Sequence, residues 1–132
     1  MTDVFVQPLT IAPDDIDVLG HVNNIVYLRW AQDIAIAHWS ARAAPDWLTR
    51  YVWVVTRHEV DYRAPLKLGD SAEARTHVDE EGARGALWAR FVDIGKPGEA
   101  AAVSVKSVWC ILDAATMRPR RVPKEVIAAF VP

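Results

Sequence analysis

The stretch Asp14-Asp15-Ile16-Asp17-Val18-Leu19-Gly20-His21-Val22-Asn23-Asn24 runs directly into the apolar segment Ile25 to Trp39, and this junction decides the reading of the chain. Asn23 or Asn24 is a good helix N-cap, because its side-chain oxygen accepts from the free backbone N–H groups of a first turn. From Asn24 to about Arg42, apolar residues recur at Tyr27, Ala31, Ile34, His38/Trp39 and Ala41, near helical spacing. Trp30, Ala35 and Ala37 carry the apolar surface most of the way round and leave Arg29, Gln32, Asp33 and Ser40 as a narrow polar side. A helix that apolar is expected to be enclosed rather than laid on a surface. Its interruptions by Arg29, Gln32 and Asp33 leave it short of the about 20 apolar residues that span a bilayer, so no membrane partner is expected.

Outward from this helix the pattern changes. Val4 to Ala12 is rich in Val, Leu, Ile and Phe and reads as a strand, broken by Pro13-Asp14-Asp15. From Tyr51 the chain alternates. Val52, Val54, Thr56, His58, Val60 and Tyr62 share one face; Tyr51, Trp53, Val55, Arg57, Glu59 and Asp61 share the other. Ala72, Ala74, Thr76 and Val78 alternate with Glu73, Arg75, His77 and Asp79. Glu80 to Gly85 makes a turn, Ala86 to Ile94 forms the next strand, and Gly95-Lys96-Pro97-Gly98 turns into a strand over Ala101 to Leu112. Such runs predict antiparallel strands in a meander. Pro123 opens a short terminal helix, Lys124 to Phe130. The order is strand, long buried helix, then four strands: an α+β domain covering residues 1–132. Trp53, Val55, Trp88 and Trp109 are candidates for partly exposed apolar surface, which predicts a homo-oligomer.

Composition bounds the function. The chain has 132 residues, 52% hydrophobic and 24% charged, with a net charge of −2. That describes one globular domain and gives no bulk charge for holding nucleic acid or an anionic membrane. Cys110 is the single cysteine, which excludes an internal disulfide framework and a multi-cysteine zinc site. His21, His38, His58 and His77 lack tight metal-ligand spacing, so no metal is expected. The start of the chain lacks a basic region followed by an apolar stretch, and a cytoplasmic setting is the expectation.

The junction itself can carry chemistry. A helix N-terminus presents unpaired N–H groups and partial positive charge, which receive an anion or a carbonyl oxygen gaining charge. A carboxylate beside it can act as general base or nucleophile, and His21 can donate or accept near neutral pH. Together these are the requirements of acyl transfer. The same residues also serve as ordinary turns and caps in many helices.

Asp15-Ile16-Asp17-Val18-Leu19-Gly20-His21-Val22-Asn23-Asn24-Ile25-Val26-Tyr27 resembles the signature D-x-D-x-x-G-H-V-N-N-x-x-Y of hot-dog-fold acyl thioesterases of the 4-hydroxybenzoyl-CoA thioesterase-like family. Asp61-Tyr62-Arg63-Ala64-Pro65-Leu66-Lys67-Leu68-Gly69-Asp70 resembles that family's Y-R-x-P-L-x-x-G-D stretch, and Arg118-Pro119-Arg120-Arg121-Val122-Pro123 its C-terminal ending. The resemblance implies a hot-dog fold, an antiparallel sheet wrapped round one long central helix. It also implies a homodimer with a continuous sheet, often paired into a homotetramer, with active sites at the dimer interface. Asp17 is then the catalytic carboxylate, and the backbone N–H of Asn24 polarises the carbonyl. Coenzyme A would be part of the substrate, with no separate cofactor. Where the similar plant acyl-carrier-protein thioesterases have an Asn and a downstream acid, this chain has Leu19 and Pro65. The aromatic residue that follows the motif's hydrophobic position in the 4-hydroxybenzoyl-CoA enzymes is Asn24 here.

His21 and Asn23 are candidates to orient Asp17 or a water, or to cap the loop. Asp15 reads as a turn residue and Tyr27 as core or acyl-pocket lining. His58 and Arg63 are candidates to reach the substrate, in part from a neighbouring subunit, and His38 reads as a core histidine. Arg118, Arg120, Arg121 and Lys124 form a local basic cluster suited to coenzyme A phosphates. The expected activity is hydrolysis of a small or medium acyl-CoA; the alternatives are a non-catalytic acyl-CoA-binding protein or an enzyme acting on acyl carrier protein.

Overall fold

The computed structural model describes residues 2–132. Strand β1 (Phe5–Leu9) leads through a 3-10 turn (Pro13–Asp15) to helix α1 (Asn24–Arg42). A short helix α2 (Trp47–Arg50) precedes β2 (Tyr51–Tyr62), β3 (Ala72–Val78), β4 (Leu87–Gly95) and β5 (Val103–Asp113). The two-residue β6 (Arg118–Pro119) and helix α3 (Lys124–Phe130) close the chain. The strands form one antiparallel sheet in the order β1-β3-β4-β5-β2, with β6 on β5, and α1 lies against β1, β3, β4 and β5. This is the α+β hot-dog arrangement.

Helix α1 forms where the sequence places it. Asn23 sits in extended backbone and its side chain accepts from the Ile25 N–H, which caps the first turn. Val26, Tyr27, Trp30, Ala31, Ile34, Ala35 and His38 form its buried stripe. Tyr27 and Ile34 are 2% and 1% exposed. Burial of one such large side chain contributes about 1.5–3 kcal/mol, so this stripe anchors the helix to the sheet. The helix is not enclosed all round, however: within the protomer Ile25 and Ile36 are 70% and 58% exposed. A second apolar cluster gathers Tyr51, Val78, Trp88, Ile111, Val122, Val126 and Phe130 beneath α3.

The structure corrects three sequence expectations. The first concerns the faces of β2. Val55 pairs with Trp109 and Arg57 with Val108, so Thr56 is an extra residue in the ladder. Its hydroxyl donates to the Val108 carbonyl oxygen. Strand side chains alternate with a period of two, so one inserted residue flips everything beyond it. Tyr51 and Trp53 pack inward before the bulge. His58, Val60 and Tyr62 point the same way after it, toward α1 and the core. An unbroken alternation had put them on opposite faces.

The second correction is the strand order. β3, β4 and β5 form a meander, but β2 pairs with β5 at the far edge rather than with β3. The connection over residues 63–71 crosses the sheet end: the Arg63 and Ala64 N–H groups donate to the Ala102 carbonyl, and Leu66 is buried. The third concerns Trp88, one of the four candidates for partly exposed apolar surface; the other three are as expected. Trp88 is 3% exposed and belongs to the core, while Trp53, Val55 and Trp109 are half-buried. The exposed large apolar side chains include Val54 on β2 and Ile25 and Ile36 on α1.

Candidate active site

The loop from Asp17 to His21 is a closed turn. The Asp17 N–H donates to the His21 carbonyl over 2.8 Å, and the Gly20 N–H to the Asp17 carbonyl over 3.0 Å. Gly20 has φ of 80°, a conformation that favours glycine and brings the chain back on itself. The carboxylate of Asp17 uses one oxygen on this turn: Oδ1 accepts from the Leu19 N–H at 2.9 Å and the His21 N–H at 3.3 Å. Its other oxygen, Oδ2, has no hydrogen-bond partner and Asp17 has no ion pair among the described residues.

Asp15 is committed differently. Its Oδ2 accepts from the Ala12 N–H and its Oδ1 from the Arg29 guanidinium at 2.8 Å. The Arg29 bond, with help from Ala12 and against the cost of burial, holds this carboxyl below the usual aspartate value. Its backbone carbonyl accepts from the Asn23 N–H, which ties the turn to the start of α1.

A pocket of ≈ 390 Å³ lies over the helix start. Asp17, His21, Asn23, Asn24, Tyr27 and Arg63 all line it, so the structure brings together six of the seven residues singled out in the sequence. At the helix start the Ile25 and Val26 N–H groups are occupied by Asn23, whereas the Asn24 N–H donates to no group among the described residues. Such a donor at the positive end of a helix is suited to an oxyanion. The Asn23 side-chain oxygen is spent on the cap, which leaves only its amide N–H groups for a ligand.

Tyr27 is buried, and burial pushes its phenol above the usual tyrosine value, so it keeps its proton. Its oxygen accepts from the Leu66 N–H at 3.2 Å. The Val22 N–H in turn donates to the Leu66 carbonyl at 2.8 Å, so the β2–β3 connection is clasped to the Asp17 loop. Arg63 stands at the rim, half-exposed, with Nη1 donating to Ser104 at 2.7 Å.

His58 is the one candidate that does not reach this pocket within the protomer. Its Nδ1 meets the Ser107 hydroxyl at 2.7 Å and its Nε2 lies 3.5 Å from Gln32, and burial lowers its pKa. Arg118, Arg120, Arg121 and Lys124 do not line the pocket either; Arg120 stacks over the Tyr51 ring instead. Sequence reasoning missed Tyr62 as part of the site. Its hydroxyl donates to the Asn24 carbonyl at 3.1 Å and pins the end of β2 to the helix start. The available signal was its place before Arg63 in the Tyr-Arg-x-Pro-Leu stretch.

Among the described residues no three His, Cys, Asp or Glu side chains gather as a metal site, and no helix is long and apolar enough to cross a membrane.

Comparison with known proteins bears on the family and the fold. The sequence model of the thioesterase-like superfamily matches residues 11–130. No curated protein matches the chain significantly. Among solved structures, a thioesterase from Thermus thermophilus complexed with coenzyme A and Zn is 28% identical, with a TM-score of 0.79 over 95% of this chain and 90% of that one. A 1,4-dihydroxy-2-naphthoyl-CoA thioesterase from Synechocystis is 12% identical, with a TM-score of 0.78 over 96% and 95%. A probable thioesterase from Escherichia coli is 18% identical, with a TM-score of 0.77 over 94% of each chain. At their levels of identity the last two show the shared fold.

Proposed function

Because the chain belongs to the thioesterase-like superfamily, we propose that it is a thioester hydrolase acting on a small or medium acyl-CoA, with Asp17 as the catalytic carboxylate. The observation that carries this reading is the pairing of an uncommitted Asp17 oxygen with the unpartnered Asn24 N–H on one pocket.

The thioester carbonyl oxygen points at the Asn24 N–H, where the charge it gains on attack meets the positive end of α1. In one course Asp17 Oδ2 takes a proton from water as the water oxygen bonds to the carbonyl carbon. The tetrahedral intermediate then expels the coenzyme A thiolate, which receives the proton. In the other course Asp17 attacks the carbonyl directly, the thiolate leaves, and water opens the mixed anhydride. The products are the same: a carboxylic acid and free coenzyme A. His21 stands beside this centre to orient the water, and the Asn23 amide and Tyr27 border the acyl group. Arg63 at the rim offers its guanidinium to a coenzyme A phosphate. The coenzyme A bound to the Thermus thermophilus thioesterase supports this carrier.

A second copy of the chain completes the assembly in this reading. Among the described residues β2, Tyr51–Tyr62, is paired on its β5 side only, which leaves its outer edge open. Edge-to-edge pairing there gives a homodimer with one continuous sheet, and two such dimers give a homotetramer.

Release of coenzyme A thiol across a panel of acyl-CoAs tests the proposal. Turnover that needs Asp17 supports the hydrolase. Stoichiometric acyl-CoA binding without thiol release would replace it with an acyl-CoA-binding protein, and turnover confined to acyl carrier protein substrates would replace the carrier.

A further inference from the structure

A second cavity opens beside the other half of α1. It has a volume of ≈ 270 Å³, and Trp39, Trp53, Trp88, Trp109 and Phe130 form most of its apolar wall. It shares no lining residue with the Asp17 pocket. Ala35 in its wall lies eleven residues beyond Asn24, about 16 Å along the helix.

Into this apolar wall the sheet places one cation. Arg90 on β4 is 8% exposed and lines the cavity. Its Nη1 donates to His38 Nδ1 at 2.8 Å and to the Thr76 hydroxyl at 3.1 Å. Because His38 accepts at Nδ1, its proton sits on Nε2, which donates to Asp3 at 2.7 Å. The Asp3 carboxylate is thus one neutral imidazole away, and Arg42 already holds it at 2.7 Å. Among the described residues Arg90 forms no salt bridge, and it remains a cation, its pKa lowered by burial only to about 10. A desolvated charge without a counter-charge is costly, and a guanidinium so placed attracts an anion strongly.

The donors left over fit one shape of anion. Arg90 Nε and Nη2 have no hydrogen-bond partner among the described residues. These two nitrogens form one edge of the guanidinium, and that edge grips a carboxylate through two parallel bonds. The rings of Trp53 and Trp109 form part of the apolar wall, while their indole N–H groups are buried away from the accessible space. Arg90 is the one charged residue of this otherwise largely apolar lining, so its free edge sets what the cavity can hold.

We propose that this cavity binds a small carboxylate with an apolar body, its two oxygens on the Nε–Nη2 edge of Arg90 and its hydrocarbon among the tryptophans. Free carboxylic acids of medium chain length have this chemistry, and so does the far end of an acyl group that bears a second carboxylate. The site is separate from the Asp17 pocket, and its binding does not depend on turnover.

Octanoate and 1-octanol, which share a hydrocarbon body of similar length, distinguish charge from greasiness. Titration of the wild-type protein, followed by the tryptophan indole N–H signals in NMR, is expected to show saturable octanoate binding at least tenfold tighter than octanol. The Trp53 and Trp109 signals should move, and the amides of Gly20 and His21 should not. Arg90→Gln should lose that preference at least tenfold. Trp109→Phe shrinks the apolar wall and leaves Arg90 in place, so it should weaken octanoate and octanol alike while keeping the preference, and it reports on the site even if Arg90→Gln does not fold. Equal binding of octanoate and octanol would overturn the proposal, as would shifts confined to the Asp17 loop. A thioester carrying a terminal carboxylate separates the sources: preferential binding over the plain acyl thioester assigns the site to substrate, and binding of octanoate alone assigns it to free acid.

Discussion

Asp15 and Asp17 lie two residues apart in one turn and are bound in opposite ways. Asp15 has both carboxylate oxygens taken, by the Ala12 N–H and the Arg29 guanidinium. Asp17 keeps Oδ2 uncommitted on a pocket. The first builds the loop, and in the proposed reaction the second acts on the thioester, so their variants should separate. Asp15→Ala removes two acceptors at a buried position and is expected to cost about 1–3 kcal/mol of stability in urea denaturation. Any enzyme that remains folded should turn over at a rate within a few-fold of wild type. A stable Asp15→Ala protein without activity would move the catalytic role to the wrong side of this turn.

The backbone N–H of Asn24 can be deleted by mutation. Asn24 is the first residue of α1, where proline is well accepted, and Asn23 before it has φ of −60° and ψ of 138°, a conformation that proline tolerates next to it. Asn24→Pro should therefore leave the melting temperature nearly unchanged. It should lower kcat about 100–1,000-fold, the usual effect of removing one oxyanion donor. Asn24→Ala keeps the N–H and loses only an exposed side chain, so its kcat should stay close to wild type. Equal activity of the two variants would remove the Asn24 N–H from the mechanism.

Acid should weaken the fold through His38. This ring is fully buried between Arg90, Asp3, Phe5 and Phe130, with Arg42 beyond Asp3. Burial is the main force lowering its pKa, from 6.5 to about 4; the Asp3 hydrogen bond opposes that shift and Arg90 adds to it. Below pH 6.5 the unfolded chain binds a proton that the folded chain refuses, so stability falls as pH drops from 6.5 toward 4. The full loss is of order 3 kcal/mol. His58, its pKa also lowered by burial, acts with the same sign. Urea midpoints between pH 7 and pH 4.5 measure the sum, and the His38 ring resonances assign it. A His38 that titrates at its ordinary value in the folded protein would contradict this origin of the acid sensitivity.

The bulge at Thr56 sets which side chains of β2 face α1. Deleting Thr56 forces the strand to choose. Either Tyr51 and Trp53 keep the core and His58, Val60 and Tyr62 turn outward, or the reverse. Both outcomes expose buried apolar surface, and the Tyr62 bond to the Asn24 carbonyl cannot survive the first. The deletion should cost more than about 2 kcal/mol, as loss of a large apolar contact does. A deletion variant as stable as wild type would mean that the bulge carries no packing role.

The helix and the loop before it were legible in the sequence because their causes are local. Asn23 caps the first turn of α1, and the stripe from Tyr27 to His38 repeats at helical spacing. The Asp17 site was legible for the same reason, since Asp17, His21, Asn23, Asn24 and Tyr27 sit within eleven consecutive positions that one turn and one helix start bring together. The features hidden from the sequence depend on distant pairing. Nothing in Thr56 itself announces a bulge; the bulge exists because β5 offers one residue fewer. The far-edge place of β2 depends on where the connection over residues 63–71 docks, which Leu66, Val22 and Ala102 settle together. Arg90 reads in sequence as a polar residue in an alternating strand, and only the folded chain sets it against His38 beside four tryptophans.

The steady-state rate of coenzyme A release by Asp17→Asn tests the central claim most directly. The amide keeps an oxygen for the Leu19 and His21 N–H groups, so the turn and the fold should persist, with an unchanged melting temperature as the check. The substituted side chain has neither charge nor basicity to spend on water or thioester. If Asp17 is the catalytic carboxylate, kcat falls at least about 100-fold below wild type with KM changed by only a few-fold. A folded Asp17→Asn protein that releases coenzyme A at the wild-type rate would contradict that role.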